Sequence, residues 1–281
     1  VDLEGDGLEG FISPMIGNLT ELTQLNLRNN KFRGPIPDSI SRLTNLTRLC
    51  LSQNFLSGSV PKGLRALLRL EDVDLSENRL TGSIIPGISD LRRLKHLNLM
   101  KNEFFGRIPV TLTGLWRLET LNLSRNQLSG KLPGFPNGLR SLSLSHNFLS
   151  GHISPVENLK HAQRVDLSNN RLSGIIFQGI LTLPELTSID LSTNRFTAIE
   201  VAKIPDEESS QLRAIDVQNN MITGHLPRNL VTYRNLRRLD LGHNMFSGEI
   251  PEEYGELIRE DRWERLALDN NLLMGNIPAG L

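Results

Sequence analysis

The residues that could carry out catalytic or metal chemistry are few, and their spacing follows no known motif. The six histidines are scattered along the chain: His96, His146, His152, His161, His225 and His243. None has a cysteine or carboxylate at the spacing of a metal site, and no glycine-rich phosphate loop follows a predicted strand. Serines that could be nucleophiles recur regularly: Ser52, Ser76, Ser124, Ser145 and Ser168. Regular recurrence is typical of structural positions, so the sequence predicts no enzyme, no metal site and no cofactor.

Cys50 is the only cysteine, so it cannot form a disulfide within this chain, and the redox compartment cannot be inferred from it. It lies between Leu49 and Leu51, at an exposed position in the middle of a predicted strand. Two interpretations are open, a small side chain tolerated on a surface or a reactive thiol. No motif for thiol chemistry accompanies it, which favours the first.

Charged side chains offer a different chemistry, the non-covalent recognition of a partner. The acidic residues Glu71, Asp72, Asp74 and Glu77 are predicted to lie on one strand. Basic and imidazole side chains follow on neighbouring strands: Lys95, His96, Lys101, Arg125, Arg140 and His146, with Arg237, Arg238 and His243 as a smaller group. Opposite charges on adjacent strands attract by roughly 0.2–1 kcal/mol per pair, so one interpretation is a self-neutralising surface. The other is a recognition patch for a peptide that carries both charges.

The pairs Glu71 with Lys95 and Glu77 with Lys101 share one spacing because the chain repeats a single segment. Each copy reads L-x-L-x-x-N-x-L, and Asp6 replaces the asparagine in a partial first copy. The first five steps are 24 residues long and the later ones run from 21 to 27. The asparagines that set the register are Asn30, Asn54, Asn78, Asn102, Asn126, Asn147, Asn170, Asn194, Asn220, Asn244 and Asn271.

This pattern resembles the leucine-rich repeat, in which each unit supplies one short strand. The segment S/T-G-x-I/L/V-P that follows, as at residues 57–61, is similar to the plant-specific subclass. The resemblance implies an α/β fold, a right-handed leucine-rich repeat solenoid with a parallel β-sheet on its concave face and short 3-10 turns on the convex side. We expect one solenoid over residues 1–281, of about twelve repeats, with both ends truncated because neither shows a capping repeat.

The two L positions of each strand are predicted to point inward, since successive side chains of a strand face opposite sides. One repeat cannot bury its apolar face alone, but stacked neighbours build a continuous core. The asparagine amide is expected to bond backbone groups where the chain leaves the strand. The residues beside the leucines are left to the concave surface, which solenoids use for binding.

Composition narrows the range of partners. The formal net charge is zero, with 31 basic and 31 acidic side chains, so the basic excess typical of nucleic-acid binding is absent from the composition. No run of 18 apolar residues occurs, and we expect no membrane contact by this segment itself.

Three positions match the acceptor pattern for N-glycosylation, which applies to chains that pass through a secretory pathway. They are Asn18, Asn45 and Asn122. The register places Asn18 and Asn45 at the edge that leads into a strand, and Asn122 on the concave face. The repeat consensus itself also generates N-L-S/T, so chance matches are expected.

The resemblance implies the ectodomain of a plant receptor-like protein or receptor-like kinase, outside the cell or at its surface. Such a module binds a peptide or protein ligand on its concave face and recruits a co-receptor ectodomain. A secreted inhibitor of pectin-degrading enzymes resembles the repeat equally well, and a structural cell-wall protein or a truncated product without a separate role are further alternatives. Peptide-hormone receptors of this family often carry Arg-x-Arg on one strand, which no strand has here.

Overall fold

The computed structural model describes residues 1–84, 86–205, 207–259 and 263–279. The chain divides into two compact units, Val1–Phe148 and Leu149–Leu281. Each unit is a stack of leucine-rich repeats with parallel strands, as the sequence predicts.

The L-x-L segments form a parallel sheet of three-residue strands in each unit, which we call the main sheet. In the first unit its strands are Gln24–Asn26, Arg48–Cys50, Asp72–Asp74, His96–Asn98, Thr120–Asn122 and Ser141–Ser143. In the second unit they are Arg164–Asp166, Ser188–Asp190, Ala214–Asp216, Arg238–Asp240 and Arg265–Ala267. Equivalent residues pair in register, Leu25 beside Leu49 and Leu49 beside Val73. Side chains at one repeat position therefore form straight columns across the sheet.

The residues after each asparagine form a second set of short parallel strands. In the first unit these are Glu9–Gly10, Lys31–Gly34, Phe55–Ser59, Arg79–Gly82, Glu103–Gly106 and Gln127–Gly130. The later ones are Phe148–Gly151, Arg171–Ile176, Arg195–Ile199, Thr223–Gly224, Met245–Glu249 and Leu272–Met274. The glycine in these strands has a positive φ, for example 76° at Gly34, which a residue with a Cβ rarely adopts.

Short helices close most repeats on the side opposite the main sheet, whereas residues 131–140 and the described part of 200–213 contain no helix. The 3-10 helices are Pro14–Asn18, Asp38–Arg42, Lys62–Ala66, Pro86–Asp90, Val110–Gly114, Ser154–Asn158 and Arg228–Thr232. Two repeats of the second unit have α-helices instead, Gln178–Leu181 and Glu252–Arg259. The 3-10 turns predicted for this side are thus confirmed.

The inward L positions form the core. Leu25, Leu49 and Leu121 are at most 1% exposed, and the equivalent residues of the other repeats are buried as well, up to Leu241. Leu266, in the last strand of the main sheet, and Leu268, which follows that strand, are half-buried. Burying an aliphatic side chain of this size stabilises the fold by about 1.5–3 kcal/mol, so the columns of leucines are the main source of stability.

Each repeat asparagine connects neighbouring repeats at the bend after the strand. The Asn126 side-chain oxygen accepts a hydrogen bond from the Phe104 N–H at 3.0 Å. Its amide nitrogen donates to the carbonyl oxygens of Leu99 at 3.0 Å and Leu123 at 3.1 Å. The buried amide thus satisfies three backbone groups from two repeats that have no strand partner there.

The residue before each asparagine adopts the left-handed conformation although none is glycine. Glu77, Lys101, Arg125 and His146 have φ values between 54° and 56°. The prediction that Glu77 lies on one strand with Glu71, Asp72 and Asp74 is therefore wrong in part. Only Asp72 and Asp74 belong to the strand Asp72–Asp74, because the chain has already turned at Glu77.

Replacing Asn126 by alanine is expected to lower the free energy of unfolding by about 1–3 kcal/mol, because the Phe104 N–H and two carbonyl groups lose a buried partner. Urea denaturation followed by circular dichroism measures the change. The exposed neighbour Gln127→Ala serves as the control and should leave the midpoint nearly unchanged. Equal midpoints for the two variants would contradict the assigned role of the amide.

Candidate functional site

The face of the main sheet that is turned away from the leucines carries the side chains that do not serve the core. We call it the outer face. Three columns of side chains belong to this face. They are formed by the residue immediately before the first inward position, the residue between the two inward positions, and the residue immediately after the second. The residue two positions before the first inward position forms a fourth column, which we call the flanking column. This surface is open to solvent, because four of its long side chains are exposed: Arg48, His96, Arg164 and Arg238.

The charged residues of the first unit neutralise one another across the strands. Lys95 Nζ lies 2.8 Å from a Glu71 carboxylate oxygen, and Lys101 Nζ lies 2.8 Å from a Glu77 oxygen. Hydrogen bonding from these lysines lowers the pKa of Glu71 and of Glu77. Each pair is mostly exposed, so its contribution to stability is small.

The other charged residues of this region are also paired in part. Asp72 lies 3.2 Å from Arg48, and Arg140 lies 4.0 Å from Glu119. Asp74 accepts a hydrogen bond from the Ser76 hydroxyl at 2.7 Å.

His96 Nδ1 lies 2.8 Å from the Thr120 hydroxyl. Arg125 and His146 are exposed, and no carboxylate of the described residues lies within ion-pair distance of either side chain. The geometry favours the self-neutralising interpretation for the acids, and these two side chains are the ones left free for a partner.

A row of aspartates crosses the outer face of the second unit. Asp166, Asp190, Asp216 and Asp240 occupy the same position on four strands that pair in register. Their side-chain oxygens accept hydrogen bonds from backbone N–H groups two residues further on, at 3.1, 2.9, 3.0 and 3.2 Å. The carboxylates are therefore directed toward the bend at the end of each strand.

Burial and mutual repulsion raise the pKa values of the central aspartates. Burial is the larger cause at both Asp190 and Asp216, and the neighbouring aspartates of the row add to it. The pKa of Asp216 is raised to about 6. At the end of the row, Asp240 pairs with Arg265 at 2.8 Å.

Beside the aspartate row, the second unit has a depression of about 860 Å³, which we call the arginine depression. Its lining residues are Gln163, Arg164, Thr187, Ser188, Arg213, Ala214, Asn235, Arg237, Arg238 and Glu264. It exists because Ser188 and Ala214 stand where the strands on either side carry Arg164 and Arg238. Arg238 pairs with Glu264 at 2.8 Å, whereas no carboxylate of the described residues lies within 4.0 Å of the Arg164 or Arg213 guanidinium.

Arg237 and Arg238 were predicted as site residues from the sequence, whereas Arg164 and Arg213 were not. The signal was present in the register, which aligns Arg164 and Arg238 with the small residues Ser188 and Ala214. It also places Arg213 and Arg237 together in the flanking column, one residue earlier in the chain. His243, which the analysis grouped with Arg237 and Arg238, lies apart from the depression and contacts Asp269 at 3.4 Å.

Comparisons with known proteins agree with the repeat. The profile of the Leucine Rich Repeat family matches residues 21–43, 45–67, 69–91, 117–139, 138–159, 161–183 and 235–257, which is more than half of the chain. The chain belongs to the leucine-rich repeat family.

Relatives of this leucine-rich repeat chain include plant receptors. Receptor-like protein 7 of Arabidopsis thaliana is 29% identical over 146 residues, which cover 51% of this chain and 14% of the relative. Among solved structures, the plant peptide hormone receptor RGFR1 in complex with RGF2 is 30% identical with a TM-score of 0.82, over 97% of this chain and 47% of that one. The structure of PEPR1–AtPEP1 is 28% identical with a TM-score of 0.80, over 100% and 42%. The chain thus spans only a small part of its curated relative and less than half of these solved chains.

The described ranges contain no helix that is both long and apolar enough to cross a membrane. Within the same ranges, no three histidine, cysteine, aspartate or glutamate side chains lie together as a metal site requires.

Cys50 is buried, and the prediction that it occupies an exposed position is wrong. Its side chain is 6% exposed and lies 3.5 Å from the Ser52 hydroxyl. A short side chain in this column is covered by the longer side chains of adjacent strands, here including Asp74 beside it. Burial raises the pKa of the thiol, which lowers its reactivity at neutral pH.

The three glycosylation sequons differ in accessibility. Asn18 is exposed at the end of a 3-10 helix. The Asn45 amide donates to the Thr20 carbonyl at 3.2 Å, and its oxygen accepts from Arg69 at 2.8 Å. Asn122 is half-buried in the main sheet and its oxygen accepts the Ser124 hydroxyl at 2.6 Å. Asn18 is therefore the sequon whose side chain is most open to a glycan.

Replacing Asp216 by asparagine is expected to stabilise the protein at neutral pH. The folded pKa of about 6 exceeds the unfolded value, so the folded chain binds this proton more tightly. The stability contributed by this group is complete below the unfolded pKa of about 3.9 and is lost as the pH rises through about 6. At about pH 7.5 the expected gain is about 1 kcal/mol, since solvent screens the half-exposed carboxylate.

Urea midpoints of the wild type and Asp216→Asn across about pH 4 to 8 measure this difference, which should disappear toward pH 4. Asp74→Asn is the matched control, because Asp74 occupies the same column between Cys50 and Asn98 and has no aspartate on either side. A gain that is independent of pH, or equal for both variants, would contradict the assigned repulsion.

Proposed function

We propose that this chain is the extracellular recognition segment of a plant leucine-rich repeat receptor-like protein or receptor-like kinase. It binds a peptide or protein ligand on the outer face of the main sheet, and the bound ligand recruits a co-receptor ectodomain. The segment acts by binding and performs no covalent chemistry. Its place is outside the cell or at the cell surface.

The observation that carries this proposal is the outer face itself. The side chains immediately before the first inward position are exposed or half-buried and are held in one column by the leucine core. The arginine depression provides a concave, charged contact surface within this face. Recognition sites of this type combine fixed backbone geometry with side chains that vary between repeats. RGFR1 and PEPR1 were solved in complex with RGF2 and AtPEP1, and these two chains match nearly the whole of this one, which supports a peptide as the ligand.

A secreted inhibitor of pectin-degrading enzymes is the alternative function. It predicts that the chain slows the release of reducing ends from polygalacturonan by a fungal polygalacturonase. The receptor proposal predicts no such effect, so this assay separates the two. Inhibition at stoichiometric amounts of the chain would favour the alternative.

Selection of a random twelve-residue peptide library against the chain is expected to yield binders whose contacts lie on the outer face. Thr120→Arg and Ser188→Arg each place a long side chain on that face, one in each unit, and are expected to weaken the binders of that unit by about tenfold or more. Thr81→Arg and Ser173→Arg add the same side chain to the second set of strands and serve as controls. Fluorescence anisotropy with the labelled peptides gives the dissociation constants. Binders that are lost with the control variants and kept with the others would refute the proposal.

A further inference from the structure

The arginine depression has a shape that follows from one column of the second unit. Across four successive strands this column reads Arg164, Ser188, Ala214 and Arg238. Strands in a sheet are about 4.8 Å apart, so the two outer arginines start about 14 Å from each other. The small side chains between them leave the floor of the depression open.

The charges of the depression are only partly compensated. Arg164 and Arg213 have no carboxylate partner among the described residues, and Arg213 lies on the strand beside that of Arg237, whose N–H donates to the Arg213 carbonyl at 2.9 Å. One terminal nitrogen of Arg237 donates to two backbone carbonyls, at 3.0 and 3.2 Å, and its other donors remain available. Three guanidinium groups thus converge on one space without an acidic partner.

The neighbouring aspartate row does not neutralise these arginines. Asp166 and Asp216 accept backbone N–H groups two residues further along the chain, which turns their carboxylates toward the bend and away from the flanking column. The Asp240 carboxylate forms its ion pair with Arg265. An anionic group in the depression therefore meets the arginines first.

An extended peptide fits this spacing when it crosses the strands. It rises about 3.3–3.4 Å per residue with alternating side chains, so residues i, i+2 and i+4 face the same way and the outer two are about 13 Å apart. An acidic residue at i reaches Arg164, and an acidic residue at i+4 reaches Arg213 and Arg237. The residue at i+2 lies over Ser188 and Ala214, where the floor of the depression is open.

We propose that the arginine depression binds an extended acidic segment of a peptide ligand, with acidic residues four positions apart. This inference rests on the proposed function and adds the chemistry of the ligand to it. Charge-assisted bonds from guanidinium to carboxylate, formed in pairs, supply the attraction. The fixed distance between the two arginine groups supplies the selectivity.

Two capped synthetic peptides of equal composition and charge test the spacing. The first is Glu-Thr-Ala-Thr-Glu and the second is Glu-Glu-Thr-Ala-Thr. Calorimetric titration at low ionic strength, where screening is weak, gives both dissociation constants. The first peptide is expected to bind about fivefold or more tightly than the second. Equal affinities, or no binding of either peptide, would overturn the proposal.

Three variants test the place of binding. The double variant Arg164→Gln with Arg213→Gln is expected to weaken the first peptide about tenfold or more, and Ala214→Leu about threefold, by filling the floor without changing the charge. The double variant Arg92→Gln with Arg93→Gln removes the same charge from exposed arginines of the first unit and should stay within about twofold of the wild type. Circular dichroism midpoints confirm that all variants are folded. A loss of equal size in the two double variants would show only general electrostatic attraction and would overturn the proposal.

The library-selected peptides distinguish this inference from the proposed function. In one outcome, these peptides bind the double variant Arg164→Gln with Arg213→Gln as tightly as the wild type, whereas Ser188→Arg and Thr120→Arg abolish their binding. That outcome would mean that the outer face binds peptides but that the depression does not select acidic ones. If no outer-face substitution affects them, the proposed function itself fails.

Discussion

The whole structure depends on one constraint, which is that a single repeat cannot satisfy its own core. Its two inward residues pack beside the equivalent residues of the neighbouring repeats, and its bend carries a backbone N–H that bonds to the asparagine of the next repeat. Asn126 shows how this works, because one buried amide accepts from Phe104 in the preceding repeat and donates to a carbonyl in each of two repeats. Burial and hydrogen bonding therefore require the same register. A shift by one residue would expose the leucines and leave the amides without partners, so the register is strongly specified.

That register also determines what the outer face can be. Since the inward positions are fixed as aliphatic, variation is confined to the positions beside them, and each such position becomes a column across the sheet. A column of mixed charge neutralises itself, as Glu71 with Lys95 does in the first unit. A column interrupted by small residues forms a depression, as Ser188 and Ala214 do in the second. Surface shape and charge in this family are thus set by substitutions that leave the core untouched, which is how one fold accommodates many ligands.

Much of this could be predicted from the sequence, because the L-x-L and asparagine positions report the core directly. The inward leucines followed from the alternation of side chains along each strand, and the strands and their parallel pairing followed from the resemblance to the leucine-rich repeat. The predictions failed where side-chain length and backbone conformation decide the outcome. Cys50 is buried because its neighbours in the sheet are longer than it is, and Glu77 leaves the strand because the chain adopts a left-handed turn before the asparagine. Arg164 and Arg213 were missed for a related reason. A depression forms where side chains are small, and the clustering of charged residues in the sequence does not point to Ser188 or Ala214.

The second unit exposes arginine side chains although the adjacent column of its main sheet consists of four aspartates. The order of the charged residues within each strand explains this difference. Arg164 and Asp166 are two residues apart on the same face, and Arg238 and Asp240 repeat this order. The short aspartate side chain is held by the backbone N–H of the following turn, whereas the long arginine side chain extends from the other end of the strand. Asp190 and Asp216 carry a cost in stability, since a raised pKa means that the folded state disfavours their charge. A row of residues that weakens the fold in this way is easier to understand on a functional surface than on an inert one, because sites retain groups that the scaffold alone would not favour. In this unit the aspartates bind backbone N–H groups at the ends of the strands, and the arginines are the groups that the proposed acidic ligand would contact.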